Sequence, residues 1–204
     1  EWTAFILNNW RALREVFRQA DIQPEISMGL VNIQENDFYI PMTERYLYNP
    51  KLEYTDTVTN VYGGYPSSVI KGSEAERIFE DYIESHEDVV DFLYKNGDKG
   101  SQYFSLVYRT ASSSHHFYPD YIIKMKNGDV YIVETKGGEN AKGKDKNIDD
   151  YAPLKYEALK AYLKKYHLKG AFVRDIAGTL RYLNEGEWRD DIANWHPIDE
   201  LFGF

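Results

Sequence analysis

A four-residue apolar run, Val130-Tyr131-Ile132-Val133, is the feature of this sequence that most restricts its fold. Such residues favour a strand, and because neighbouring side chains of a strand point to opposite faces, this one needs cover on both. We therefore expect an α/β fold in which helices flank a sheet. The run ends in Glu134-Thr135-Lys136-Gly137, and charged side chains directly after a buried strand require a reason.

Hydrophobic periodicity and turn signals predict the elements around this strand. Ser73 and Glu76 form a capping box at the start of a helix whose apolar stripe runs to Ile83. The remaining predictions are strands at 103–109, 117–125, 130–135, 170–173 and 179–183 and a helix at 151–166, with a hairpin turn at Asn127-Gly128. The order of helix, three strands, helix and strand predicts a mixed β-sheet.

The chain divides into two predicted parts. Residues 1–70 are predicted as an N-terminal α+β appendage or connecting region, with a helix from Trp2 to Ala20 and strand-like pieces from Ile26 to Val61. Residues 71–204 are predicted as the main domain. Because the first residue is Glu1 rather than Met, we expect the chain to be a fragment of a longer chain or a processed product.

Composition excludes several classes of site. The chain has no cysteine, so disulfides, zinc–thiolate sites and a cysteine nucleophile are excluded. No apolar run approaches the length that spans a bilayer, and no signal peptide opens the sequence. We therefore expect no membrane association and a cytoplasmic location.

Charge is unevenly distributed. The net charge of −9 argues against a general nucleic-acid coat. The segment from Lys136 to Lys169, however, holds nine lysines against five acids, a local net charge of +4. It could contact phosphates, although a solvated lysine-rich helix explains the charge equally well.

Asp120, Glu134 and Lys136 form the candidate site. Two carboxylates can hold a divalent metal ion, and an ammonium group can orient water and stabilise negative charge. Glu134 and Lys136 are two residues apart and so project from the same face. Simpler interpretations exist: Asp120 could cap a turn, Glu134 and Lys136 could be an exposed pair at a strand end, and Glu76 could serve only the capping box.

Hairpin register decides whether the two carboxylates meet. With a two-residue Asn127-Gly128 turn, Asp120 pairs with Thr135 and faces away from Glu134. A three-residue loop with Gly128 in the left-handed region, or a bulge near Pro119, brings them to one face. We therefore predict an irregularity in this hairpin.

These motifs together resemble the PD-(D/E)XK nuclease superfamily, specifically the C-terminal endonuclease domain of type III restriction enzyme subunits. The resemblance covers about residues 72–175 and rests on Ser73 to Phe79, Pro119-Asp120, Glu134 to Gly137 and Lys155 to Ala158. It implies a restriction-endonuclease-like core in which Asp120, Glu134 and the Thr135 carbonyl bind Mg²⁺, Lys136 positions the attacking water, and Glu76 supplies a further carboxylate.

The resemblance also implies a substrate and partners. Double-stranded DNA would be the substrate, contacted by Lys155 and by the basic loop that holds Lys142, Lys144 and Lys146. A methyltransferase subunit would recognise sequence, and upstream helicase domains of the same chain would use ATP, in a bacterial cytoplasm. Two alternatives are a non-catalytic nuclease-like module that binds DNA as a scaffold, and a nuclease of a related repair or phage-defence helicase.

Overall fold

The computed structural model describes most of the predicted main domain and short pieces before it. The described residues are 35–41, 54–56, 59, 64–66, 74–98, 103–111, 113–137, 150–189, 191 and 194–204. The predicted helix at 2–20 therefore lies outside the described residues, as do Ser73 and the lysines at 142, 144 and 146.

Three helices and ten strands are described. The helices are α1 (Glu74–Glu84), α2 (Ala152–Tyr166) and α3 (Ile198–Phe202). The strands are β1 (Tyr54–Asp56), β2 (Gly64–Pro66), β3 (Val90–Lys95), β4 (Leu106–Arg109), β5 (Ser114–Phe117), β6 (Tyr121–Met125), β7 (Val130–Lys136), β8 (Lys169–Ile176), β9 (Thr179–Leu183) and β10 (His196–Pro197). The predicted helices at 73–83 and 151–166 are thus confirmed to within a residue or two.

A mixed six-stranded sheet organises the fold. Its strand order is β10-β9-β8-β7-β6-β3. Only the β7–β8 pair is parallel among these strands, and α2 connects the two, whereas the other neighbours are antiparallel. The predicted mixed sheet and the internal position of Val130–Val133 are therefore confirmed.

Helices cover both faces of this sheet. On one face, α1 and α3 pack on alternate residues of the central strands, including Tyr131 and Val133. On the other, α2 and the β4–β5 hairpin pack on the intervening residues, including Ile132 and Phe172. The alternation of buried residues along β7 puts Glu134 and Lys136 on the α2 side.

Two strand predictions need correction. The predicted strand at 103–109 is not part of the main sheet: β4 pairs only with β5 among the described strands. The third strand between α1 and α2 is instead β3, which sequence periodicity missed and which pairs with β6. The predicted strand at 117–125 is also split, because Pro119 and Asp120 separate β5 from β6.

Part of the predicted appendage packs against the main domain. The Tyr162 hydroxyl of α2 donates to the carbonyl of Asn36 at 3.0 Å, and the ring of Phe38 meets that of Phe104 at 5.7 Å. Residues 35–41 therefore contact the apolar layer beneath α2. None of the helices among the described residues combines the length and apolarity required to cross a bilayer.

Candidate functional site

The loop of the β6–β7 hairpin sets the geometry of the site. It contains three residues, Lys126, Asn127 and Gly128: the Gly128 amide donates to the Met125 carbonyl, and the Met125 amide donates to the Asp129 carbonyl, both at 2.9 Å. Gly128 has φ +95°, in the left-handed region that glycine tolerates. The predicted irregularity in this hairpin is confirmed, in the form of a three-residue loop with Gly128 left-handed.

This loop sets a register in which the position of Asp120 corresponds to Glu134 rather than to Thr135. Tyr121 pairs with Val133 and Ile122 with Ile132. The ladder ends at Tyr121, so Asp120 stands one residue beyond it, at the position that the same register would pair with Glu134. The side chain of Asp120 then turns toward β7, where its Oδ2 accepts hydrogen bonds from the amide of Thr135 at 2.7 Å and its hydroxyl at 2.6 Å.

A buried asparagine holds the chain just before β6. The side-chain amide of Asn96 donates to the carbonyls of Pro119 at 2.9 Å and Phe104 at 2.7 Å, and its own backbone amide donates to the Asp120 carbonyl at 2.7 Å. Sequence reasoning missed Asn96. Its signal was a polar residue followed by glycine at the end of an apolar segment, which indicates a turn but not its contact with Asp120.

Glu134 and Lys136 are buried, with 6% and 7% of their surface exposed. The alternative of an exposed pair at a strand end is therefore wrong. Lys136 Nζ donates to Glu134 Oε1 and lies 5.8 Å from the centre of the Phe172 ring. Glu134 Oε2 is buried without a hydrogen-bond partner among the described residues. Such an atom is costly to bury unless something else contacts it.

Burial, and after it the charge of Asp120, raises the pKa of Glu134 to about 8. Lys136 and Lys155 act in the opposite direction, toward the carboxylate. The Asp120 and Glu134 carboxyl groups are therefore close enough to repel each other when both are charged, which is the electrostatic condition that a shared cation would relieve.

Glu76 lies in the first turn of α1, near the same end of the sheet. Its Oε2 accepts from Lys95 Nζ at 2.9 Å. Burial raises the pKa of Glu76, Lys95 lowers it, and the charge of Asp120 raises it again. Glu76 is thus an ion-pair partner of Lys95 within the field of Asp120; Ser73, its proposed capping partner, lies outside the described residues.

A close contact places α1 beside the end of β7. A Cβ built on Gly137 would lie 2.4 Å from the Cβ of Ala75, which is far inside the normal contact distance. Glycine at position 137 therefore lets the first turn of α1, which carries Glu76, approach the strand that carries Glu134 and Lys136.

Lys155 lies near the start of α2, on the same side of the sheet as Glu134. Its Nζ is 5.9 Å from the ring centres of both Tyr108 and Phe117. Its charge acts on Glu134. The structure therefore brings together Asp120, Glu134, Lys136 and Thr135, with Glu76 and Lys155 on opposite sides, while the predicted basic loop with Lys142, Lys144 and Lys146 lies outside the described residues.

The residues present fit a divalent cation through two carboxylates rather than three. In the part of the chain that the structure describes, no group of three or more His, Asp or Glu side chains is arranged to hold a metal ion. Asp120 and the partnerless Oε2 of Glu134 nevertheless supply the hard oxygen donors that Mg²⁺ prefers, and Mg²⁺ usually keeps several waters. These oxygen donors therefore suit an Mg²⁺ ion that keeps several of its water ligands.

No protein-family model matches this sequence, and no curated protein shows significant similarity to it. The interpretation of the site therefore depends on its own residues and geometry.

Proposed function

We propose that this chain carries a Mg²⁺-dependent DNA endonuclease centre that hydrolyses phosphodiester bonds. One observation carries the proposal: Glu134, whose Oε2 is buried without a partner among the described residues, lies beside the ammonium of Lys136 and within the field of Asp120, which is one residue beyond the hairpin ladder. Two carboxylates and one lysine at a strand end are the groups that metal-assisted phosphodiester hydrolysis requires.

The arrangement of elements supports a finer assignment to a restriction-endonuclease-like core. Helix α1 precedes three antiparallel strands, β3, β6 and β7, and α2 then leads to β8, which is parallel to β7. The acidic and basic side chains lie just before the start of β6 and at the end of β7, as they do in the PD-(D/E)XK pattern that the sequence resembles.

Each side chain has a distinct role in the proposed centre. Asp120, Glu134 and the Thr135 carbonyl would hold Mg²⁺, and the Thr135 amide and hydroxyl keep Asp120 Oδ2 in place. When bound, Mg²⁺ supplies charge neutralisation at the scissile phosphate and lowers the pKa of a coordinated water. Lys136 fixes Glu134 and would donate to the attacking water, aligning it with the phosphorus.

We further propose that the centre belongs to a type III-like restriction enzyme of a bacterial cytoplasm. Double-stranded DNA would be the substrate, with a methyltransferase subunit as partner and ATP-driven helicase domains upstream. Lys155, beside Glu134 and next to two aromatic rings, is the described residue best placed to contact a phosphate of that DNA.

Cleavage of a supercoiled plasmid tests the nuclease proposal. The purified protein should nick the plasmid in Mg²⁺ and not in EDTA. Asp120→Asn and Lys136→Ala should each reduce nicking by at least about a hundredfold, because the first weakens Mg²⁺ binding and the second removes the ammonium that would align the attacking water. Asparagine keeps an oxygen that can accept from Thr135, so Asp120→Asn should retain the fold in circular dichroism.

A matched control is Lys160→Ala, since Lys160 lies on α2, is partly exposed and pairs with Glu157 at 2.9 Å. It should cleave like the unmodified protein. Unchanged cleavage by both site variants would exclude this centre. DNA binding with no Mg²⁺-dependent cleavage by the unmodified protein would favour the non-catalytic DNA-binding module instead.

A further inference from the structure

We propose that Lys95 is a positioning residue, which holds Glu76 beside Asp120 and thereby sets how tightly the centre binds Mg²⁺. The proposal rests on the proposed nuclease function. Lys95 is the last residue of β3, and only 9% of its side chain is exposed. It lies outside the motif residues, and its role is visible only from the contacts that its ammonium group makes.

The ammonium of Lys95 joins two turns of α1. Its Nζ donates to Glu76 Oε2 at 2.9 Å and to Glu80 Oε1 at 2.6 Å. Glu76 and Glu80 are four residues apart and so lie one above the other on the same helix face. A single buried cation therefore fixes the turn of α1 that carries Glu76.

Tyr121 ties the same cluster to the strand next to Asp120. Its hydroxyl donates to Glu80 Oε1 at 2.5 Å and lies 3.4 Å from Lys95 Nζ. Tyr121 is fully buried and directly follows Asp120 in the chain. The cluster of Lys95, Glu76, Glu80 and Tyr121 therefore connects α1 to the start of β6.

The charges show why the ammonium matters to Glu76. The negative charge of Asp120 acts on Glu76 and opposes its approach. Glu76 keeps 25% of its side chain exposed, so without Lys95 it has room to turn toward water. Among the described residues Lys95 holds only Oε2 of Glu76, which leaves the second oxygen to accept from a water bound to Mg²⁺.

The test measures Mg²⁺ binding directly, as the Mg²⁺ concentration that gives half of the maximal thermal stabilisation, beside the Mg²⁺ dependence of plasmid nicking. Lys95→Met alone leaves Glu80 buried without its cation and is expected to unfold readily. The double variant Lys95→Met with Glu80→Gln removes that buried charge, while the new glutamine side chain can still accept from Tyr121. The double variant therefore tests the loss of the ion pair between Lys95 and Glu76.

The folded double variant should need about tenfold more Mg²⁺ at the midpoint, as is typical when a group that orients a metal ligand is removed. Lys95→Arg keeps a positive charge at this position, so it should bind Mg²⁺ more tightly than the double variant does. If Lys95 acts through Glu76, adding Glu76→Gln to the double variant should cause little further shift. Glu80→Gln alone, which leaves Lys95 paired with Glu76, is the matched control and should stay near the unmodified midpoint.

An unchanged Mg²⁺ midpoint in the folded double variant, with the unmodified protein responding to Mg²⁺, would overturn the role of Lys95 alone. Fully additive shifts with Glu76→Gln would overturn it as well. No stabilisation and no cleavage by the unmodified protein at any Mg²⁺ concentration would instead overturn the proposed nuclease function on which it rests.

Discussion

At the scale of single residues, Glu134 is a carboxyl group in a place that disfavours its charge. It is buried, its neighbour Asp120 is acidic, and only Lys136 donates to it among the described residues. Burial and the charge of Asp120 therefore oppose ionisation of Glu134, and carboxyl groups perturbed in this way are common at functional sites. The effect on Glu134 can be measured in the absence of metal.

We predict that Glu134→Gln stabilises the metal-free protein increasingly as pH rises. The folded pKa of about 8 exceeds the ordinary value of 4.5, so the folded state binds more protons than the unfolded state between these values. The free energy of unfolding of the unmodified protein therefore falls as pH rises between these two pKa values. The Glu134→Gln variant has no carboxyl group at this position and should not show that decrease. Urea unfolding in EDTA at pH 5 and pH 8 should show a gain on the order of 2 kcal/mol more at pH 8.

The matched control for this prediction is Glu157→Gln, because the Glu157 side chain is 55% exposed. Its stability difference should stay flat over the same range of pH. A Glu134→Gln curve that runs parallel to that of the unmodified protein would show that Glu134 is already charged at low pH.

At the scale of elements, the length of one loop decides which side chains of the β6–β7 hairpin lie on the same face. A two-residue turn would put Asp120 opposite Thr135 and on the other face from Glu134. The extra residue, with Gly128 left-handed, moves the ladder by one position, so that Asp120, one residue beyond the ladder, is level with Glu134. The packing of α1 against the end of β7 then adds Glu76 to their surroundings.

We predict that Gly137→Ala separates α1 from β7. The new Cβ would overlap that of buried Ala75, so unfolding free energy should fall by about 1–3 kcal/mol. Adding Ala75→Gly removes the overlapping methyl group and should recover part of that loss, although a glycine within a helix itself costs about 1 kcal/mol. Urea unfolding of the four proteins measures the coupling free energy, and strictly additive effects would contradict the contact.

At the scale of the whole molecule, the candidate site lies at one end of a sheet covered on both faces. One apolar layer includes α1 and α3, and the other includes α2 and the β4–β5 hairpin. The chain has a net charge of −9, so the proposed DNA substrate would need a locally basic surface on an acidic protein. Lys155 on α2 is a described lysine outside β7 whose charge acts on Glu134.

We predict that Lys155→Gln weakens DNA binding and makes the remaining binding less dependent on salt concentration. In an Asp120→Asn background, which keeps the DNA uncut, the slope of the logarithm of the association constant against the logarithm of salt concentration should become shallower by about one. Lys165→Gln is the matched control on the same helix, because Lys165 pairs with Glu35 at 3.0 Å. Equal slopes for the two variants would exclude a phosphate contact by Lys155.

Much of the fold follows from local patterns. The helical stripe behind Glu76, the apolar run at Val130 and the periodicity of residues 151–166 predict α1, β7 and α2, because each signal spans neighbouring residues. The sequence did not reveal β3. Its six residues mix Asp91 and Lys95 with apolar positions, and the reason for burying Lys95 lies on α1, 15 to 19 positions earlier in the chain.

By itself the sequence determined the chemistry that is available: carboxylates at positions 120 and 134, an ammonium at 136, and a strand that must be buried. Tertiary structure decided which of these groups meet. The register of the hairpin, the contact of Gly137 with Ala75 and the pairing of Lys95 with two glutamates depend on backbone geometry and on partners distant in the chain. Local propensity carries no information about such contacts, because their free energy arises only when the sheet and α1 are packed together.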